Sequence, residues 1–167
     1  MGGIISKGKD KPPQRNQSKQ PQAQSQTTHA QPSAQHNHQP QPKLITKLEL
    51  AELLLQLYPD ENVTSATSSP QLLLLDVRDP SEFNSTTLPA IHTSAKNIPL
   101  NSIQHAFEHF TEEEFEKQFG WKKPDKTDSI ICYCRGGNRA GRAVAILEQL
   151  GYKNVQLYKG SASEWWK

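Results

Sequence analysis

Residues 129–150 read SIICYCRGGNRAGRAVAILEQL, and the fold turns on how this stretch divides. SIICYC is a short continuous apolar run, the pattern of a strand buried on both faces, as in a parallel sheet. AGRAVAILEQL carries helix formers with apolar side chains at helical spacing, and Gly151 ends it. The intervening RGGN is a tight turn, so the chain passes from strand to helix at Cys134. In open α/β sheets ligands bind at the carboxyl ends of the strands, and Cys134 stands at such an end.

Working outward, LLLLDV at 72–77 is a second buried strand. DPSEF follows with Asp79 as helix cap, Pro80 as first helical residue and Glu82 three beyond the cap. AKNIPL at 95–100 reads as a short strand closed by Pro99, and NSIQHAFEHF at 101–110 as a helix. Thr111 and Glu114 form a capping box for EEEFEKQF, which stops at Gly120. VQLY at 155–158 is a further strand, with a short helix after Gly160. Upstream, Thr46 caps a helix through KLELAELLLQLY, ended by Pro59 and Asp60, and ENVTSATSSPQ at 61–71 is loop. Strands alternating with helices predict an α/β domain with a mostly parallel sheet and helices on both faces, spanning residues 43–167.

Residues 1–42 differ in kind. From residue 12 to 42 about one third are Gln, Pro recurs and no large apolar side chain occurs, so the segment is expected to be a disordered tail. His29, His36 and His38 lie in it without neighbouring cysteines, which reads as a solvated tract and not a metal site. Lys7, Lys9, Lys11, Arg15 and Lys19 stand against a single Asp10, in a chain whose net charge is +2. This basic segment is too short and too poor in aromatics for a nucleic-acid surface. MGGIIS fits the Met-Gly-x-x-x-Ser pattern for myristoylation at Gly2, and with the adjacent lysines it predicts a membrane surface facing the cytoplasm. The rival is a mitochondrial presequence, opposed by Asp10 and the scarcity of Arg. No run reaches the roughly 18 apolar residues of a spanning helix. Cys132 and Cys134 are too close within one strand to bridge, which favours a reducing compartment.

The turn itself carries the chemistry. Successive N–H groups of Arg135, Gly136, Gly137, Asn138 and Arg139 can face inward as an anion-binding nest, with the glycines permitting unusual backbone angles and the helix dipole adding positive potential. The Arg135 and Arg139 side chains add two charges. All these terms favour a thiolate, so Cys134 is read as a nucleophile that attacks an anionic substrate.

These stretches resemble the single-domain rhodaneses, or thiosulfate sulfurtransferases. The likeness rests on LLLLDVRDPSEF, NIPL, FEKQFGWKKP, CRGGNRAGRA and GYKNVQLYKGSASEW, in that order. It implies a thiosulfate sulfurtransferase in which Cys134 takes sulfur from thiosulfate or another sulfane-sulfur donor and passes it as a persulfide to cyanide, a small thiol or a thioredoxin-like acceptor. It implies that Arg135 and Arg139 bind the sulfonate, that the loop amides stabilise the persulfide, and that no metal or organic cofactor takes part. Asp76 and Arg78 of DVR are expected to brace the sheet end, with Arg78 paired to Glu82. Cys132, on the same face as Cys134, reads as strand filler in preference to a resolving thiol. The related phosphatases and arsenate reductases have Cys-x5-Arg where this chain has Cys-x4-Arg, a tighter cradle that suits one transferred sulfur atom and crowds a tetrahedral phosphate. A binding module with incidental chemistry is the alternative from a different class, against which stand the retained Cys134, both arginines and both glycines. AIHTSAKN at 90–97 departs from the family, lacking the glycines of the usual Gly-His-Ile-Pro-Gly-Ala turn.

Overall fold

The computed structural model describes residues 41–58 and 72–167. Gly2, the basic segment, the three tail histidines, most of the Gln-rich stretch, Pro59, Asp60 and the 61–71 loop lie outside the described residues. The elements run β1 (Lys43–Leu44), α1 (Lys47–Leu57), β2 (Leu72–Asp76), α2 (Pro80–Phe83), β3 (Lys96–Asn97), α3 (Leu100–His109), α4 (Glu112–Phe119), β4 (Ser129–Tyr133), α5 (Asn138–Gln149), β5 (Asn154–Leu157) and α6 (Ser161–Trp165). Among the described residues no helix is long and apolar enough to cross a membrane.

The apolar runs at 72–76 and 129–133 become the central pair of a five-stranded sheet of order β1-β5-β4-β2-β3, parallel throughout. Burial on both faces explains their continuous hydrophobicity. Leu73, Leu75, Ile130, Cys132 and Cys134 enter a core shared with α3, α4 and α5, whereas Leu74, Ile131 and Tyr133 enter the opposite core, built with α1 and α6. Cys132 and Cys134 therefore share a face, as strand periodicity requires.

Local signals fix several boundaries. Thr46 caps α1 by accepting from the Glu49 N–H at 3.3 Å, while the Glu49 carboxylate accepts from the Thr46 N–H at 2.8 Å. Thr111 and Glu114 do the same for α4, and Gly120 closes that helix in the left-handed region at φ 76°. The sequence overlooks β1 because two exposed residues at a sheet edge show no pattern. The expected strand at 95–100 shortens to Lys96–Asn97, and α5 starts two residues before the expected Ala140.

DVR lies at the carboxyl end of β2, where Asp76 and Arg78 pair in the interior. Asp76 and Arg78 are 0% and 1% exposed, and Asp76 accepts from Arg78 Nη2 at 2.6 Å and from Nε at 2.9 Å. Arg78 Nη1 also donates to the Leu88 carbonyl at 2.7 Å, and Asn97 Nδ2 donates to the backbone carbonyls of Asp76 and Arg78. The expected Arg78–Glu82 pair does not form. Arg78 turns inward, where Asp76 and the 88–89 carbonyls take its donors, and Glu82 pairs with Arg139 instead. A buried charge is tolerable only when paired, so Asp76→Ala is expected to cost about 3–5 kcal/mol in urea unfolding. A loss under 1 kcal/mol, a surface pair's worth, would show that the pair is not the brace.

Candidate active site

Cys134 is the first residue past β4, and the chain must reverse there into α5. Gly137 makes the reversal: its φ is 91°, and a Cβ at that position would run into the Lys159 carbonyl oxygen. Only glycine satisfies both conditions. Gly136 has open space where a Cβ would sit and does not adopt a positive φ, so only Gly137 needs the angles that the sequence attributes to both glycines.

This turn brings the Gly137 N–H to 3.1 Å from Cys134 Sγ. The first N–H groups of a helix have no partner within it and carry the positive end of its dipole, so the sulfur lies in a field suited to negative charge. Cys134 is only 2% exposed, which restricts access to small reagents. Cys132 is fully buried behind it, and burial, reinforced by Cys134, pushes its thiol well up, away from the ionised form that a resolving role needs.

A second support comes from the β5–α6 connection, and the sequence gives it no role. Ser161, fully buried, accepts from the Cys134 N–H at 3.1 Å, donates to the Tyr158 carbonyl at 2.9 Å and lies 3.9 Å from Cys134 Sγ. Its φ of 56° makes it the one described non-glycine residue in the left-handed region. The Ala162 and Ser163 N–H groups then bind the carbonyls of Cys134 and Arg135 at 3.1 and 2.9 Å. The Gly-Ser pair after a strand was the only available signal.

The two arginines are placed differently. Arg139, 31% exposed, makes a two-point bond to the Glu82 carboxylate, the longer contact 2.8 Å, with Asp79 3.7 Å away. The hydrogen bond from Arg139, with the Asp79 N–H adding to it, holds the Glu82 carboxyl down to about 2, and Glu82 in turn raises the Arg139 guanidinium. Arg135 is exposed and makes no side-chain hydrogen bond or ion pair among the described residues. Asn138 opens α5 at the rim. Two shallow hollows, one bordered by Leu44, Glu49 and Gln156 and the other by Phe110, Lys123 and Tyr152, contain none of these residues.

The Rhodanese-like domain family model matches residues 52–167. The chain belongs to this family. It is 41% identical over 96 residues to the thiosulfate:glutathione sulfurtransferase of Saccharomyces cerevisiae, a match that takes in 58% of this chain and 66% of that relative, just under two thirds of its length. The mitochondrial thiosulfate sulfurtransferase RDL2 of the same yeast is 34% identical over 112 residues, covering 66% of this chain and 72% of the relative. Its crystal structure superposes with a TM-score of 0.58 at 32% identity, over 75% of this chain and 89% of that one. The rhodanese-like domain thus carries Cys134 in a preorganised turn.

Gly137→Ala is expected to lower thermal stability and to slow iodoacetamide labelling of Cys134 by roughly tenfold, because the strained residue costs about 1–2 kcal/mol and moves the amide off the sulfur. Gly136→Ala should match the wild type in both measurements. Equal behaviour of the two variants would contradict the geometry of the turn.

Proposed function

We propose that this rhodanese-like domain is a thiosulfate sulfurtransferase that works through a persulfide on Cys134. The observation that carries the reading is the Gly137 N–H at 3.1 Å from a nearly buried Cys134 Sγ, at the start of a helix. The Cys134 thiolate attacks the outer sulfur of thiosulfate. The bond between the two donor sulfurs breaks, sulfite leaves with the electron pair, and Cys134 holds the transferred sulfur as a persulfide anion. An acceptor thiolate or cyanide then attacks that outer sulfur and returns Cys134 as a thiolate. No net proton or electron is required in either half.

Each neighbouring residue has a part in this account. The Gly137 amide and the first turn of α5 stabilise the persulfide charge, Ser161 holds the Cys134 backbone, and Arg135 offers its unpaired guanidinium to the sulfonate. The names of the two yeast relatives support thiosulfate as donor, and one supports a glutathione-like thiol as acceptor. The low exposure of Cys134 favours donors that present a single outer sulfur atom, as thiosulfate does, over bulky esters, in line with the four residues between Cys134 and Arg139.

Where the protein works is a separate proposal. Acylation at Gly2, outside the described residues, would hold the domain at a membrane surface, while the mitochondrial location in the name of RDL2 supports the other address.

The test is thiosulfate-dependent turnover with glutathione and with cyanide as acceptors. Cys134→Ser is expected to abolish turnover, and Cys132→Ala to keep it within about twofold. Equal losses in both would return Cys132 to the mechanism. A wild type without turnover that nevertheless captures a partner protein would favour the binding-module reading.

A further inference from the structure

We infer that Glu82 is a positioning residue of this site: it holds Arg139 beside Cys134 as a neutralised pair and so leaves Arg135 as the guanidinium that receives an anionic donor. The inference deepens the sulfurtransferase reading and takes its meaning from it.

Arg139 is already engaged by a counter-ion. Its two terminal nitrogens both donate to the Glu82 carboxylate, and Asp79 stands 3.7 Å from one of them. A bidentate guanidinium–carboxylate pair is strong and directional, and half-burial shields this one from water, with each partner 31% exposed. Glu82 is itself fixed, since its Oε2 accepts from the Asp79 N–H at 3.3 Å at the start of α2. The carboxylate therefore ties the first turn of α2 to the first turn of α5, the helix that follows the Cys134 loop. Glu82 and Arg139 are 57 residues apart in sequence, so the contact exists only because β2 and β4 are neighbours in the sheet.

The electrostatic consequence concerns anions. The pair sums to zero charge, and an approaching anion meets the Glu82 carboxylate as well as the Arg139 guanidinium. Arg135 has no such counter-ion among the described residues and is exposed at the start of the same loop. Donor binding thus falls mainly to Arg135, and Arg139 contributes rigidity to the start of α5. Glu82 weakens the attraction of any anion for the site while keeping the loop in shape.

The experiment compares alkylation of Cys134 in the full chain by iodoacetate, an anion, and by iodoacetamide, its neutral analogue, read at the Cys134 peptide. The ratio of the two rates measures the local potential and divides out changes in intrinsic thiol reactivity. Glu82→Gln, which keeps the shape and one acceptor oxygen, should raise the ratio roughly threefold, as one negative charge near the loop is removed. Arg135→Ala should lower it roughly threefold or more. Arg139→Ala should lower it also, since Glu82 is then unpaired, and the double variant Glu82→Gln with Arg139→Ala should return close to wild type. Glu82→Asp, which retains the charge, should stay within about twofold of wild type. The Michaelis constant for thiosulfate should fall in Glu82→Gln with kcat little changed. A Glu82→Gln ratio at or below wild type, an Arg135→Ala ratio unchanged, or a double variant as low as Arg139→Ala alone would overturn the inference, the last by showing that Arg139 binds the anion directly. Alkylation needs no sulfur transfer. A wild type that fails to turn over thiosulfate would sink the enzymatic reading while the ratios still decide the part of Glu82.

Discussion

The left-handed turn at Gly137 is the constraint on which the site depends. The chain leaves the carboxyl end of the central strand β4 and must enter α5 within four residues, pressed against the Lys159 carbonyl. A side chain at position 137 meets both a steric and a conformational penalty. Because the turn closes there, one backbone amide points at Cys134 Sγ and α5 begins at the next residue. The surroundings of Cys134 Sγ are thus set by main-chain geometry, and the β5–α6 connection, through Ser161 and two amides, is hydrogen-bonded to the same loop.

Around this turn the sheet end is built from charges kept in separate pairs. Asp76 and Arg78 satisfy each other in the interior, Glu82 and Arg139 do so at the surface, and Arg135 remains unpaired among the described residues. Each pair joins elements that local forces would leave independent: the end of β2 to the 88–89 carbonyls, and α2 to α5. The low exposure of Cys134 adds a steric filter, since only a reagent thin enough to enter the loop meets the sulfur.

Much of this was legible in the sequence because the signals were local. Continuous apolar runs identified β2 and β4, the Thr46 cap and the Thr111–Glu114 capping box identified the starts of α1 and α4, and the glycines after Cys134 identified the loop. What escaped was non-local. The Glu82–Arg139 contact joins residues that no periodicity relates, and spacing instead suggested Glu82 for Arg78, four positions away. The inequality of Gly136 and Gly137 depends on Lys159, which belongs to another strand's connection. Ser161 occupies a left-handed position that residue type alone would assign to glycine. β1 has only two residues and one neighbour, too little for a pattern.

The central claim is that Cys134 carries sulfur covalently. Intact-mass spectrometry of the reduced, desalted protein after incubation with thiosulfate tests it most directly. The account predicts a gain of one sulfur atom, located at Cys134 by peptide mapping, absent from Cys134→Ser and removed by a thiol or by cyanide. An unchanged mass in the wild type, or an adduct located at Cys132, would contradict it.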